Sequence, residues 1–386
     1  MGTARASVWG RLRNWLVLAR LRQRGVGFPD VAPPDSARSR VFIGPANSAG
    51  QAYRWARALE EAHPEFTVTS AQFGTTNPFA FPVDMHTHLG YAAASLTWQQ
   101  RQLAALGGYR AVLIESNRSV LAGSGSNTVP AEVERLTAQG VQVGLVFHGS
   151  DIRDPAAHMR TEPDSFFAVD SDLTAALVET TARSRRTLAR TNCRVFVSTV
   201  DLLSDIPNAT WLPVVISPEV WATTTPPLAH GGVPRVVHVP SSSVIKGTDL
   251  IEPKLRALHE QGIIDFVSVR GVSHEAMVDL YRGADVVLDQ FRGGPYGVAA
   301  CEAMAAGRIL ISHVPDRHRL LELTGAELPI IEATHETLVT VLGQTLSDPV
   351  EAQRVAALGP DYVRRIHDGS WSGLVLADWL DEGKTA

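Results

Sequence analysis

Lysine occurs only at positions 246, 254 and 384 of a chain whose remaining cationic side chains are arginines, so a lysine inside a motif is informative. Lys246 stands in His238-Val239-Pro240-Ser241 … Lys246-Gly247-Thr248-Asp249, which opens at the end of the predicted strand Arg235–Val239. An ammonium at a strand-to-helix turn, with Ser241 and Thr248 hydroxyls nearby, suits a diphosphate: it is a compact point charge, and the helix start adds N–H donors. The alternative is a solvated lysine that caps a turn.

A second constellation lies between Tyr281 and His313. Ala284–Leu288 is an apolar, β-branched run that ends in Asp289 and Gln290, as a buried parallel strand does when its carboxyl end opens onto a site. A loop with Gly293, Gly294, Pro295 and Gly297 follows, and a helix is expected from Val298, so free amides and a positive dipole end face the loop. Glu302 falls one turn in, Gly307 stops the helix, and Arg308–Ser312 is the next strand.

A third follows the predicted strand Val141–Phe147: His148-Gly149-Ser150-Asp151-Ile152-Arg153. An imidazole there can hydrogen-bond a ligand hydroxyl, with Asp151 or Arg153 orienting it or meeting a second ligand. A loop histidine with Asp151 as a helix cap is the plainer reading. Two further motifs point to metals. Asp84-Met85-His86-Thr87-His88 looks like the opening of a metal-dependent amidohydrolase, but the proline-bearing loop Asn77–Pro82 precedes it. Asp170-Ser171-Asp172 matches a short, common metal motif, and its last two residues suit a helix start. No metal site is expected from either.

Taken together, these residues resemble the retaining GT-B glycosyltransferases of the Glu-x7-Glu type, over positions 40 to 380. The order His-Gly-Ser-Asp-Ile-Arg, Trp211-Leu212-Pro213, His-x-Pro-Ser … Lys-Gly-Thr and Asp-Gln … Tyr296-Gly297 … Glu302-Ala-Met-Ala is the family's order. The resemblance implies that Lys246 and Gly247 meet the donor diphosphate, Glu302 the ribose, and His148 the donor sugar from across a cleft. The chain departs from the pattern twice. The family's usual arginine falls at Ser241, and its first motif acid falls at Gly294. Asp289 and Gln290 could take over from that acid, or backbone amides of Gly294–Tyr296 could; Tyr296 either joins them or simply packs. The implied activity is transfer of a sugar, of hexosyl type, from a nucleotide-diphosphate sugar to a glycan, lipid-linked or small-molecule acceptor, with retention. Such enzymes generally need no bound metal or other cofactor. A nucleotide-sugar epimerase of the same fold, and a sugar-nucleotide-binding protein without turnover, are the alternatives.

These groups need two sheets to hold them. At 386 residues, 45% hydrophobic and 19% charged, the chain has material for two domains of the usual ~100–200 residues. A net charge of −5 and no long basic stripe in the folded region argue against nucleic acid. Cys193 and Cys301 read as small apolar residues in a reducing compartment. Strands are expected at 41–43, 66–72, 109–115, 141–147, 194–198 and 214–216, with helices at 51–62, 98–106, 131–139 and 175–190 between them. Gly44–Gly50 would then be a Rossmann-type loop contacting donor or acceptor, or an ordinary turn. Strands at 235–239, 265–269, 286–288, 309–312 and 329–331 alternate with helices at 249–260, 274–283, 298–306 and 336–346, the plan of two parallel α/β domains.

The expected organisation is a basic helix and linker at 1–39, an acceptor domain at 40–215, a donor domain at 216–365 and a returning helix at 366–386. No run approaches the ~20 apolar residues that cross a bilayer. Arginines at 5, 11, 13, 20, 22 and 24 intersperse Trp9, Leu12, Trp15, Leu16, Leu18 and Leu21, and Val8, Trp9, Leu12, Trp15, Leu16 and Ala19 share a helical side with Val17 and Leu21 opposite. Such a helix lies in an anionic membrane surface or packs as an ordinary arm. The expected location is the cytoplasm or the inner face of a membrane.

Overall fold

Apolar β-branched runs too short to be helices form the core of this protein. A computed structural model describes residues 8–34, 37, 39–76, 80–123, 128–169, 171–294 and 296–382. Two compact units result: Met1–Ile152 with Ala182–Phe196 and Ser372–Ala386, and Arg153–Thr181 with Val197–Trp371.

The first sheet contains β1 (Arg40–Gly44), β2 (Thr67–Gly74), β3 (Met85–His88), β4 (Ala111–Glu115), β5 (Gln142–Phe147), β6 (Arg194–Val197) and β7 (Thr210–Trp211), in the order β3-β2-β1-β4-β5-β6-β7. Strands β1 to β5 belong to the first unit and pair in parallel, with Ile43 opposite Ser70 and Leu113, and Ile114 opposite Leu145. Phe42, Ile43, Leu113 and Phe147 are fully buried, as strands covered on both faces require. The chain winds outward from β1 in one direction and from β4 in the other. Their carboxyl ends therefore flank a topological switch point, where an open α/β sheet leaves a crevice.

The second sheet contains β8 (Arg235–His238), β9 (Asp265–Ser268), β10 (Val286–Leu288), β11 (Ile309–Ser312) and β12 (Ile331–Glu332), all parallel, in the order β12-β11-β10-β8-β9. Val236, Ile251, Leu255, Val286, Ile309 and Leu338 are central to its core. Its switch point lies between β8 and β10, the two strands that lead into Lys246 and into Asp289.

The structure corrects the sequence reading at several points. Val214–Ile216 is buried but is not a strand: prolines flank it, and the Ile216 amide bonds the His367 carbonyl at 2.9 Å. Met85–His88 is a strand that its polar side chains concealed. Asp30–Ala32 is strapped down and is no free linker, since Trp98 Nε1 donates to the Asp30 carbonyl and the Ala32 amide to Gln102. The returning helix is Ser370–Glu382, and a separate helix, Gly359–Ile366, precedes it, the break falling where Gly369 adopts φ 109°. Trp379, on the second of these, packs edge-on to Phe196 in the first unit.

Candidate functional site

In the second unit, His238 builds the turn that carries Lys246. Burial pushes its pKa down and keeps the ring neutral, so Nδ1–H donates to the Leu288 carbonyl at 2.9 Å and Nε2 accepts from the Thr248 hydroxyl at 3.0 Å. One side chain thereby joins β8, β10 and the start of the helix Thr248–Glu260. Gly247 sits at φ 71°, and a Cβ there would come 3.0 Å from Arg292, so the turn requires glycine. The Phe291 amide bonds the Lys246 carbonyl at 3.0 Å, which ties this turn to the loop after β10.

Lys246 Nζ donates to Asp289 Oδ1, and the pair is largely buried. An ammonium has three donors, so two remain. Asp289 Oδ2 is buried and has no hydrogen-bond partner. Gln290 packs over Gly293, where a Cβ would come 2.5 Å from its Oε1. Ser241 is exposed in the turn before Lys246.

The helix Val298–Ala305 begins at Gly297, which has no side-chain cap, so the first-turn amides have no side-chain acceptor. Glu302 is 3% exposed and lies 3.4 Å from His274. Its charge and that of Asp289 both push the buried Tyr281 hydroxyl up, after burial itself. The structure therefore pairs Lys246 with Asp289 at the switch point between β8 and β10 and sets Glu302 on the helix that follows. Cys301 on the same helix is buried and unpaired, and burial pushes its thiol well up.

Gly294 has φ 84°, and an ideal Cβ there would sit 3.6 Å from Glu162 Oε1. The carboxylate beside the position that lacks an acid thus comes from residue 162. His313 holds it: Nε2 donates to Glu162 at 2.9 Å and Nδ1 to Glu332 at 2.7 Å, and these bonds raise its pKa to about 9. No signal in the sequence pairs residues 162 and 313. A cavity of about 380 Å³ borders this loop, lined among others by Arg153, His158, Glu162, Asp201 and Gly294. His158 donates from Nε2 to the Gly293 carbonyl at 3.3 Å and accepts from Ser165, while Arg153 is ion-paired to Asp201. Tyr296 is buried, its hydroxyl donating to His367 Nε2 at 3.0 Å and lying 3.2 Å from Tyr362. His367 can accept because burial lowers its pKa to about 4.

In the first unit, His148 follows β5 and stacks on Trp55, with centroids 5.5 Å apart. Its Nε2 bonds Glu115 at 3.3 Å. Burial opposes the ring's charge, but the Glu115 hydrogen bond and charge, with Asp151, outweigh it and set its pKa above 6.5. Glu115 ends β4, is fully buried, and accepts from the Ala46 and Asn47 amides at 3.0 and 2.8 Å. The loop after β1, the end of β4 and the end of β5 are thus fastened to one carboxylate. Glu115 carries the same sequence signal as Asp289, a polar residue that ends an apolar run. Asp151 accepts from the His148 and Gly149 amides at 2.9 to 3.1 Å, so its carboxylate braces the loop.

The metal motifs are occupied otherwise. Asp84 accepts from the Ser70 amide and hydroxyl and pairs with Arg57, and His88 caps the helix Leu89–Ala94. Asp170 lies outside the described residues, and among the described residues no group of three His, Cys, Asp or Glu side chains could hold a metal.

No protein-family model matches the chain, and no curated protein sequence does. Solved structures do. Sucrose-phosphate synthase from Thermosynechococcus elongatus has 14% identity over 91% of this chain and 99% of its own, with a TM-score of 0.59. The Anabaena protein HepE in complex with UDP-glucose has 13% identity over 89% and 99%, with 0.56. An α,α-trehalose-phosphate synthase (UDP-forming) from Burkholderia vietnamiensis has 11% over 88% and 99%, with 0.53. With its two units and parallel sheets, the chain has the fold of the GT-B glycosyltransferases.

Proposed function

We propose that this protein is a glycosyltransferase of hexosyl type that takes its sugar from a nucleotide-diphosphate donor bound to the second unit. The observation that carries the reading is the buried Lys246–Asp289 pair at the β8/β10 switch point, followed in the chain by a helix start with no side-chain cap. Lys246 gives its two remaining N–H groups to the diphosphate, with Gly247, Ser241 and the amides at Gly297 and Val298 around it. Glu302 takes the ribose hydroxyls. The sugar lies against Gly294 and Tyr296, where Glu162 supplies the carboxylate that residue 294 cannot, and Asp289 and Gln290 fix the strand end. In the first unit, His148, held by Glu115 and by the Asp151-braced loop, offers its imidazole to a ligand hydroxyl.

Bond cleavage sends the electron pair to the departing diphosphate, which fixed cations and dipoles stabilise, while the anomeric centre becomes oxocarbenium-like. We assign retention of configuration and no requirement for metal. HepE, of the same fold, holds UDP-glucose, which makes a nucleotide sugar the first ligand to try. Calorimetry with a panel of nucleotide sugars, followed by assay of free nucleotide with and without acceptor, tests the reading. Saturable binding with acceptor-dependent release is expected. Release without acceptor would favour an epimerase, binding without release a non-catalytic role, and no binding would remove the proposal.

A further inference from the structure

The first unit carries an open groove of about 930 Å³ that the donor chemistry does not use. Its basic wall holds Arg118, Arg183, Arg186 and Arg190, and no carboxylate is among its lining residues. Arg183 and Arg186 share an exposed face of the helix Asp172–Leu188, and Arg190 is exposed just beyond its end. Arg118, Arg186 and Arg190 make no side-chain hydrogen bond or ion pair among the described residues. In a chain of net charge −5, such a cluster is a local reversal of sign. Phe73, Leu89, Val129 and Pro130 add an apolar part to the lining. Asn117, at φ 52° beyond the end of β4, lines the groove with a buried Oδ1 that has no partner. The Arg118 amide donates to the Glu115 carbonyl at 3.0 Å, and Glu115 bonds His148, which sets the groove beside the candidate site of this unit.

A second observation identifies the occupant. The helix Val8–Gln23 packs on the helix Leu89–Ala94, which also lends Leu89 and Ala93 to the groove. It meets that helix through Leu21, near Gly90, and through Arg22, which donates to the Tyr91 hydroxyl at 3.3 Å. Leu12, Trp15 and Leu16 are left 46%, 63% and 42% exposed, with Arg11, Arg13 and Arg20 exposed around them. The side chains of Val8 and Trp9 lie outside the described residues. The opposition of Val17 and Leu21 to the tryptophan stripe is therefore a division into a packed side and a free side. A free side of tryptophan, leucine and arginine fits the boundary of an anionic bilayer. No described helix is long and apolar enough to cross one.

We propose that this groove binds the anionic headgroup of a membrane lipid: phosphate on the arginines, the start of the acyl stem on the apolar part of the lining, and a headgroup hydroxyl on Asn117. That this lipid is the acceptor rests on the transferase reading; its binding does not. The test is flotation of the full chain with phosphatidylcholine vesicles, with and without phosphatidylglycerol, for wild type, R186Q/R190Q and W15A/L16A. Each basic residue near an anionic surface contributes roughly fivefold, so R186Q/R190Q should lose about twenty-five-fold in partition to the anionic vesicles. W15A/L16A should weaken binding to both. Dihexanoyl phosphatidylglycerol should compete where equal inorganic phosphate does not. Wild-type partition of R186Q/R190Q would overturn the proposal, as would competition by inorganic phosphate equal to that of the short lipid. Nucleotide-sugar binding by R186Q/R190Q, measured in parallel, keeps this failure distinct from failure of the donor site.

Discussion

Replacing Lys246 with alanine should damage stability and donor binding together, and the two can be separated. Asp289 is 4% exposed, one of its oxygens already lacks a partner, and the other depends on Lys246. Removing one member of a buried ion pair leaves an uncompensated charge at a cost of about 3–5 kcal/mol, whereas neutralising both members is often nearly free. K246A should therefore lose about 3–5 kcal/mol in urea unfolding of the second unit, and K246M/D289N should return to within roughly 1–2 kcal/mol of wild type. Binding should not return. A charge-assisted hydrogen bond contributes about 1.5–3 kcal/mol, so the folded double variant should bind a nucleotide diphosphate roughly 10- to 150-fold more weakly by calorimetry. Wild-type unfolding of K246A would show that Asp289 does not depend on the ammonium. Wild-type affinity in the double variant would remove Lys246 from the donor site.

His313 should make stability fall with rising pH. Its folded pKa of about 9 lies above the 6.5 of the unfolded chain, so its contribution is complete below pH 6.5 and lost as pH rises through 9. Solvent at Glu332, 37% exposed, reduces the contribution to roughly 1–2 kcal/mol, and H313Q should flatten that part of the denaturation profile. Glu132 gives the same sign in a lower window. Burial raises its carboxyl to about 7 against 4.5 unfolded, so the unfolded state loses its proton first and stability declines between pH 4.5 and 7. E132Q should abolish this slope, worth up to about 3 kcal/mol, in thermal melts of the first unit; an unchanged slope would mean that Glu132 is ionised when folded.

The runs Val286–Leu288 and Ile309–Ser312 were legible as strands because a strand covered on both faces must be apolar throughout. Met85–His88 was not, because an edge strand tolerates polar side chains. Positions that need a special backbone were legible as glycine, yet the reason for Gly294 was only half visible. Sequence showed that an acid was missing, and only the fold shows Glu162 beside the gap. The pairings of Lys246 with Asp289 and of His313 with Glu162 span long stretches of chain, where spacing carries no information. Local motifs proposed which residues matter; the partners that set their charge came from topology.

Gly144 on β5 has no room for a side chain, since a Cβ would lie 2.9 Å from the Trp379 ring, which itself rests on Phe196. A residue near the middle of the first unit is thus covered by one made more than two hundred positions later. During synthesis, the whole of Val197–Trp371 leaves the ribosome before that cover exists. Until then the nascent first unit displays bare apolar surface over β5 and β6, a natural target for chaperones, and its maturation is coupled to the arrival of the second.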